Sequence, residues 1–129
     1  MLQNASVSTQ LPASDYERAK KFYQETLGFT IAMEFDGGAR FDAGNGTFFW
    51  VYPSQFAGTN QATAMAFDVD DVDKAVEDLG SKGITFEQFD LPYGKTDERG
   101  IADLGGWKGA FFKDSEGNII ALGQVSPTA

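Results

Sequence analysis

The acidic side chains carry most of the reactive chemistry that this chain offers, because it contains no histidine and no cysteine. Those two zeros remove the commonest transition-metal ligand, the usual general base near neutral pH and every thiol nucleophile. Asp68 is the carboxylate of greatest interest, since it ends a predicted strand on the face expected to line a cavity. A carboxylate on such a face needs a cation, a hydrogen-bond donor or water. Asp68 therefore either pairs with a cationic ligand or caps the helix that follows it.

Three aromatic residues that alternate along one predicted strand form the second candidate feature. Phe48, Trp50 and Tyr52 are spaced by two, which places their side chains on one side of a sheet. They can stack on a flat or cationic group, at about 0.5–2 kcal/mol for each good contact, or else fill a closed core. The same alternation places the remaining candidate ligand-binding residues of the strands on this cavity face: Ser8, Gln10, Ala64, Asp68 and Ala121.

The segment 90–107 is rich in glycine and charge, and contains Tyr93 and Trp107 as two further candidate ligand-binding residues. A loop of that length in a compact domain is more often functional than idle. It either closes over a bound ligand, as lids do, or forms a solvated connection whose ion pairs contribute little. Burial of its two large aromatic residues would separate these alternatives.

The elements that must position these residues repeat the order β-α-β-β-β twice. The first helix begins at Ser14, which stands in capping-box spacing with Glu17, and ends at Gly28. The second begins near Asp70 and ends at Gly83, and residues 114–117 form a strong hairpin turn. The predicted strands cover residues 5–11, 29–35, 40–43, 47–52, 63–69, 84–89, 109–113 and 118–124.

Composition excludes several classes of partner. The net charge is −9, from 19 acidic and 10 basic residues, and such a field repels nucleic acid. The apolar runs are far shorter than the roughly 20 residues that span a bilayer, and the N-terminus lacks a secretory pattern. We therefore expect a single soluble, cytoplasmic domain of 129 residues, with no nucleic-acid or membrane partner.

The motifs around both helices resemble those of the vicinal-oxygen-chelate superfamily, which includes glyoxalases, extradiol dioxygenases and bleomycin-resistance proteins. The resemblance rests on the runs from Asp15 to Phe29, from Phe67 to Asp73 and from Phe111 to Ile119. It implies an α+β fold in which two β-α-β-β-β modules, residues 5–53 and 62–125 joined by a linker at 54–61, form curved mixed sheets around a cleft.

The resemblance also implies where a metal would be held. Metal-dependent members place His, Glu or Gln at four strand positions, which fall here at Ser8, Trp50, Ala64 and Ala121. Neighbouring residues supply no carboxylate in any register, so no metal, no cofactor and no catalytic residue is assigned.

The opening of the chain, from Gln10 to Asp15, is similar to that of bleomycin-resistance proteins. This similarity implies a metal-free homodimer that sequesters a small organic molecule, such as a cationic or aromatic antibiotic or metabolite. Two alternatives stay open: an atypical enzyme that uses carboxylate or tyrosine chemistry or an oxygen-ligated metal, and a partner-binding module whose aromatic surface serves assembly. Whether any reaction is catalysed is undecided, although the missing ligands weigh against it.

Overall fold

The computed structural model describes residues 1–92 and 94–125. In the first half, a four-stranded sheet has the order β1-β4-β3-β2, with β1 and β4 parallel and the other neighbours antiparallel. Its elements are β1 (Thr9–Ala13), α1 (Tyr16–Lys21) with a π-helical continuation (Phe22–Thr26), β2 (Ile31–Phe35), β3 (Gly38–Asp42) and β4 (Phe48–Pro53).

The second half repeats this arrangement with the strand order β5-β10-β9-β8, and β5 and β10 are again parallel. The predicted α+β fold with two mixed sheets is therefore confirmed. The elements are β5 (Thr63–Asp68), α2 (Val72–Ser81), the short ribbon β6 (Asp90–Leu91) and β7 (Gly94–Lys95), β8 (Ile101–Asp103), β9 (Trp107–Lys113) and β10 (Ile119–Val125).

The main core lies on the helix side of both sheets. It joins buried residues of the first half, such as Tyr23 and Phe49, to buried residues of the second, such as Phe112 and Ile120. Partly buried residues of both helices pack against the same cluster. The opposite, helix-free face of each sheet is not part of this core. No helix within the described residues has the length and apolar composition of a membrane span.

The turn between β9 and β10 connects the two halves. The predicted hairpin is present, since the backbone N–H of Asp114 donates to Asn118 and that of Gly117 donates to Asp114. The Glu116 carboxylate accepts from the backbone N–H of Asp15 at 2.8 Å and from Arg18 Nε at 2.8 Å, so the turn meets the start of α1.

This contact also changes the predicted helix cap. Asp15, not Ser14, caps α1, because Oδ1 of Asp15 accepts from the backbone N–H of Arg18 at 3.0 Å. The Ser14 hydroxyl instead donates to Glu116 at 3.3 Å. A carboxylate from the distant half of the chain competes for the serine, and the predicted capping box with Glu17 is wrong.

Two strand predictions need correction. Residues 84–89 do not form a strand in the sheet, and only Phe86 makes a bridge, to Phe112. The outer edge of β9 is instead paired with β8, which occupies the position that β2 has in the first sheet. The first strand begins at Thr9 and ends at Ala13, later than the predicted 5–11, because β1 pairs with β4 over that range.

The segment predicted as irregular, 90–107, is partly ordered into β6, β7 and β8. Thr96 is buried, and its hydroxyl donates to Gln88 and accepts from the backbone N–H of Phe89. Arg99 contacts both Asp97 and Asp73, the latter at 2.7 Å at the start of α2. The segment is therefore held against the rest of the second half by hydrogen bonds and ion pairs.

Candidate functional site

The helix-free side of the first sheet carries an exposed group of aromatic residues. Phe48, Trp50 and Tyr52 are each half-buried, whereas Phe49 and Val51 between them are buried in the core. This alternation places the three rings on one side of β4. They do not fill a closed core, the alternative that the sequence left open.

Strand β2 adds two residues that the sequence analysis missed. Met33 is 52% exposed and Phe35 is 58% exposed. The Phe35 ring contacts Trp50 edge-on at a centroid distance of 5.6 Å. Gly38, the cross-strand partner of Phe35, contributes no side chain. We call Phe35, Arg40, Phe48, Trp50 and Tyr52 the aromatic face.

Arg40 was also missed, and it is the cation of the aromatic face. It lies directly opposite Trp50 in the β3–β4 register, and its guanidinium carbon lies 4.4 Å from the ring centre of Phe48. Both Nε and Nη2 donate to Oδ1 of Asp42, at 3.1 and 3.0 Å. Stacking and hydrogen bonding together fix the plane of the guanidinium. The residues of β3 alternate between the two sides of the sheet. The sequence does not show which side Arg40 occupies until the pairing register is known.

The polar residues predicted on β1 lie beside this face. Gln10 is exposed and pairs in register with Trp50, and its Nε2 donates to Oγ of Ser8 at 3.2 Å. Pro12 is the next residue on the same side and pairs with Tyr52. Gln10 thus supplies an amide at the edge of the aromatic face.

A cavity of about 320 Å³ lies between the start of β1 and the end of β5. It brings together three of the predicted residues, Ser8, Phe48 and Asp68. Asp68 is exposed there and has no ion-pair partner among the described residues. It does not cap α2, because Oδ1 of Asp71 accepts from the backbone N–H of Lys74.

The second sheet does not present a matching open face. Ala121 is only 4% exposed and packs with Phe111 and Ile119, and Phe89 and Trp107 pack against this group. Phe89 and Phe111 meet edge-on at 5.2 Å. The expectation that Ala121 and Trp107 line an open cleft therefore needs correction, because aromatic side chains of the second half fill that face.

Trp107 occupies a slot made by two glycines. Gly109 and Gly123 are paired across β9 and β10, and the indole covers the place where a Cβ on either residue would lie. Ala64 is half-buried and packs against the main core rather than against Trp107. Tyr93, the remaining predicted residue, lies outside the described residues.

The residues at the four metal positions do not fit a metal. Ser8 offers one hydroxyl, and the side chains of Trp50, Ala64 and Ala121 offer no ligating atom. Within residues 1–92 and 94–125, no group of three or more His, Cys, Asp or Glu residues is arranged to hold an ion. The side chains at these positions therefore support no metal-dependent step.

Two large pKa shifts lie at the junction of the two halves. Burial raises the pKa of Tyr23, and the charge of Asp114 raises it further. Burial by itself raises the pKa of Glu116, but hydrogen bonds and the charge of Arg18 lower it to about 2. Both groups are held in one protonation state near neutral pH, which suits a structural role.

Two β-α-β-β-β repeats that share one core define a protein of the glyoxalase-like α+β class. The family model described as the Glyoxalase/Bleomycin resistance protein/Dioxygenase superfamily matches residues 6–122. The chain belongs to this superfamily. No curated protein matches the chain in sequence.

Solved structures support the same fold. TnmS3, an antibiotic binding protein from Streptomyces sp. CB03234, is 26% identical, with a TM-score of 0.65 over 95% of this chain and 98% of that chain. A glyoxalase/bleomycin resistance protein from the same strain is 24% identical, with a TM-score of 0.63 over 93% and 100%. A lactoylglutathione lyase from Agrobacterium tumefaciens is 19% identical, with a TM-score of 0.65 over 94% and 93%. The fold is thus shared by an antibiotic binding protein and by a lactoylglutathione lyase.

Proposed function

We propose that this protein binds and sequesters a small aromatic organic molecule, such as an antibiotic or a metabolite, without a metal. The position and partial exposure of Trp50 carry the proposal. By the family resemblance it falls where metal-dependent members hold a ligand. It lies half-buried, in contact with Phe35 and on the same side of β4 as Phe48 and Tyr52. A group of large aromatic side chains with open rings, beside a few polar groups, is the composition of a small-molecule site.

Binding without turnover agrees with the residues available. Acid–base catalysis needs a group with a pKa near the working pH, and the chain has no histidine or cysteine to supply one. The likeness to TnmS3, which is an antibiotic binding protein, supports the binding role. The likeness to the lyase supports the fold alone.

The proposal includes a homodimer in which a second copy covers the aromatic face. The side chains of Phe35, which belongs to this face, and of Met33 beside it are more than half exposed. An exposed apolar surface of this kind is typical of a binding surface. A ligand would then be enclosed between the two copies. Light scattering of wild type and of Met33→Glu tests this point, with a dimer expected for the first and a monomer for the second.

A thermal-shift screen against planar aromatics, cationic antibiotics and divalent metals tests the function, because a ligand of the folded state raises Tm. We expect shifts with aromatic compounds that persist in EDTA. Trp50→Ala removes them, whereas Phe56→Ala does not. Phe56 is the matched control, since it is 65% exposed in the linker and is not part of the aromatic face.

Two results would contradict the proposal. Equal shifts in wild type and Trp50→Ala would show that the aromatic face is not the site. Stoichiometric metal in the purified protein, together with turnover lost on chelation, would show that it is an enzyme instead.

A further inference from the structure

We propose that the aromatic face selects aromatic molecules that carry a carboxylate or another planar oxyanion, and that Arg40 binds this anion. The inference rests on the proposed function and adds a ligand class to it. It differs from the cationic ligand that the sequence predicts at Asp68. The structural basis is the position of one guanidinium in the middle of an aromatic surface.

Arg40 lies within the aromatic face and not at its edge. Trp50 is its partner on β4, Met33 is its partner on β2, and Phe48 lies beneath its guanidinium. A ligand whose ring contacts Trp50 therefore has the guanidinium within reach of its substituents. This surface offers ring contact and a cation side by side.

The guanidinium is oriented and only partly used. A guanidinium has five N–H donors, and Asp42 accepts from Nε and Nη2 through a single oxygen. Among the residues that the structure describes, Arg40 makes no other side-chain hydrogen bond. The remaining donors suit a carboxylate, which arginine binds through two parallel hydrogen bonds.

The existing pair with Asp42 does not prevent this binding. The Arg40 and Asp42 side chains are 32% and 58% exposed, and an exposed ion pair of this kind contributes little. When the aromatic ring of a ligand stacks on Trp50, the ligand's carboxylate lies in a less hydrated setting. Charge-assisted hydrogen bonds are stronger there. The ligand anion therefore binds the remaining donors, while the charge of Asp42 partly offsets the attraction of the cation.

The alternative anchor is Asp68, which would bind a cationic ligand. Asp68 lies in the cavity between β1 and β5, with Ser8 and Phe48 among its lining residues. Trp50 and Phe35, the two rings that are in edge contact, do not line that cavity. The Trp50 ring and the Asp68 carboxylate therefore do not line one site, whereas the Arg40 guanidinium is on the residue paired with Trp50.

Three naphthalene probes with an anionic, a neutral and a cationic substituent test the inference: 2-naphthoate, the isosteric 2-naphthamide and 2-naphthylmethylammonium. Titration calorimetry at pH 7 measures Kd for each. We expect 2-naphthoate to bind wild type about tenfold more tightly than the amide, as one charge-assisted pair allows, and the ammonium to bind most weakly. Arg40→Gln should remove this preference and leave the amide unchanged.

Two further variants guard against effects of misfolding. Asp42→Asn removes the offsetting negative charge, so affinity for 2-naphthoate should rise about threefold while that for the amide stays constant. Arg99→Gln is the matched control, because Arg99 is also an exposed arginine paired with aspartates but lies in the second half. It should change neither affinity.

The outcomes separate this inference from the proposed function. If all three probes bind wild type alike and Trp50→Ala abolishes binding, the anion preference is overturned and the aromatic site stands. If the ammonium binds most tightly, Arg40 is the wrong anchor. If no probe binds, or Trp50→Ala changes nothing, the inference and the proposed function both fail.

Discussion

Tyr23 donates its hydroxyl to Oδ2 of Asp114 at 2.7 Å, and this hydrogen bond joins the helix of the first half to the β9–β10 turn of the second. The two side chains belong to residues that are 0% and 6% exposed. Asn118 Nδ2 also donates to Asp114 Oδ2, at 3.0 Å, and to the carbonyl of Pro12. The halves are therefore held together by a buried polar network as well as by apolar packing.

Tyr23→Phe should destabilise the protein by about 1–3 kcal/mol, because it leaves a buried carboxylate short of a donor. Tyr16→Phe is the control, since it removes the same atom from an exposed hydrogen bond to Glu34. Its expected loss is below about 1 kcal/mol. Urea unfolding measures both free energies, and equal losses would show that the Tyr23 bond adds nothing to the junction.

Glu116 should make stability depend on pH in the acid range. The folded state holds its pKa at about 2, below the ordinary value of 4.5, so its contribution is present above pH 4.5 and is lost as pH falls toward 2. Glu116→Gln lacks this contribution at every pH. The difference in Tm between wild type and Glu116→Gln should therefore shrink steadily from pH 5 to pH 2.

Glu17→Gln provides the comparison for that series, because the Glu17 side chain is 80% exposed and its contact with Lys20 is 3.6 Å long. Its Tm should follow that of wild type throughout. A constant gap between Glu116→Gln and wild type over the same pH range would contradict the assignment to Glu116.

Gly109→Ala should displace Trp107 from its slot, because the added methyl group falls on the indole and lies 2.7 Å from the carbonyl oxygen of Leu122. The chain has two tryptophans, so Trp107 is the one tryptophan left in a Trp50→Phe background and the tryptophan emission reports on it alone. We expect red-shifted emission and a loss of about 1–3 kcal/mol in unfolding free energy. Lys108→Ala removes a side chain that pairs with Asp73 of α2, and it should leave the emission unchanged.

Two glycines at the end of α2 should respond to alanine with opposite signs. Gly80 is helical and nothing lies within 4 Å of an added Cβ, so Gly80→Ala should stabilise by roughly 0.5 kcal/mol. Gly83 follows the helix with φ +93°, and the Ile84 N–H donates to Leu79 in the turn that ends the helix. Gly83→Ala should cost about 1–2 kcal/mol. Thermal unfolding of both variants checks the signs.

Local patterns predicted the fold because they involve neighbouring residues. Helix periodicity, the terminal Gly28 and Gly83 and the hairpin at 114–117 are all readable within a few positions, and all are present. The strand expected at 84–89 failed because β8, from beyond a long insertion, pairs with β9 instead. Competition between distant segments for one sheet edge leaves no local signal.

The candidate site was only partly predictable, for the same reason. Alternation placed Phe48, Trp50 and Tyr52 on one side of β4, as the structure has them. Arg40 and Phe35 join them only through the registers of β3 and β2, and those registers depend on pairings that the sequence does not state. Burial of Ala121 depends on how Trp107 folds back over Gly109, which spacing alone cannot indicate.

The two repeats use their helix-free faces in opposite ways. In the second repeat Phe111, Ile119 and Ala121 are buried and contribute to folding, so substitutions there carry a stability penalty. In the first repeat the corresponding surface is more exposed, so substitutions of its residues on β2, β3 and β4 should cost less stability. Mutational tolerance is therefore unevenly divided between the repeats: the helix-free face of the first can accept changes that close packing forbids in the second.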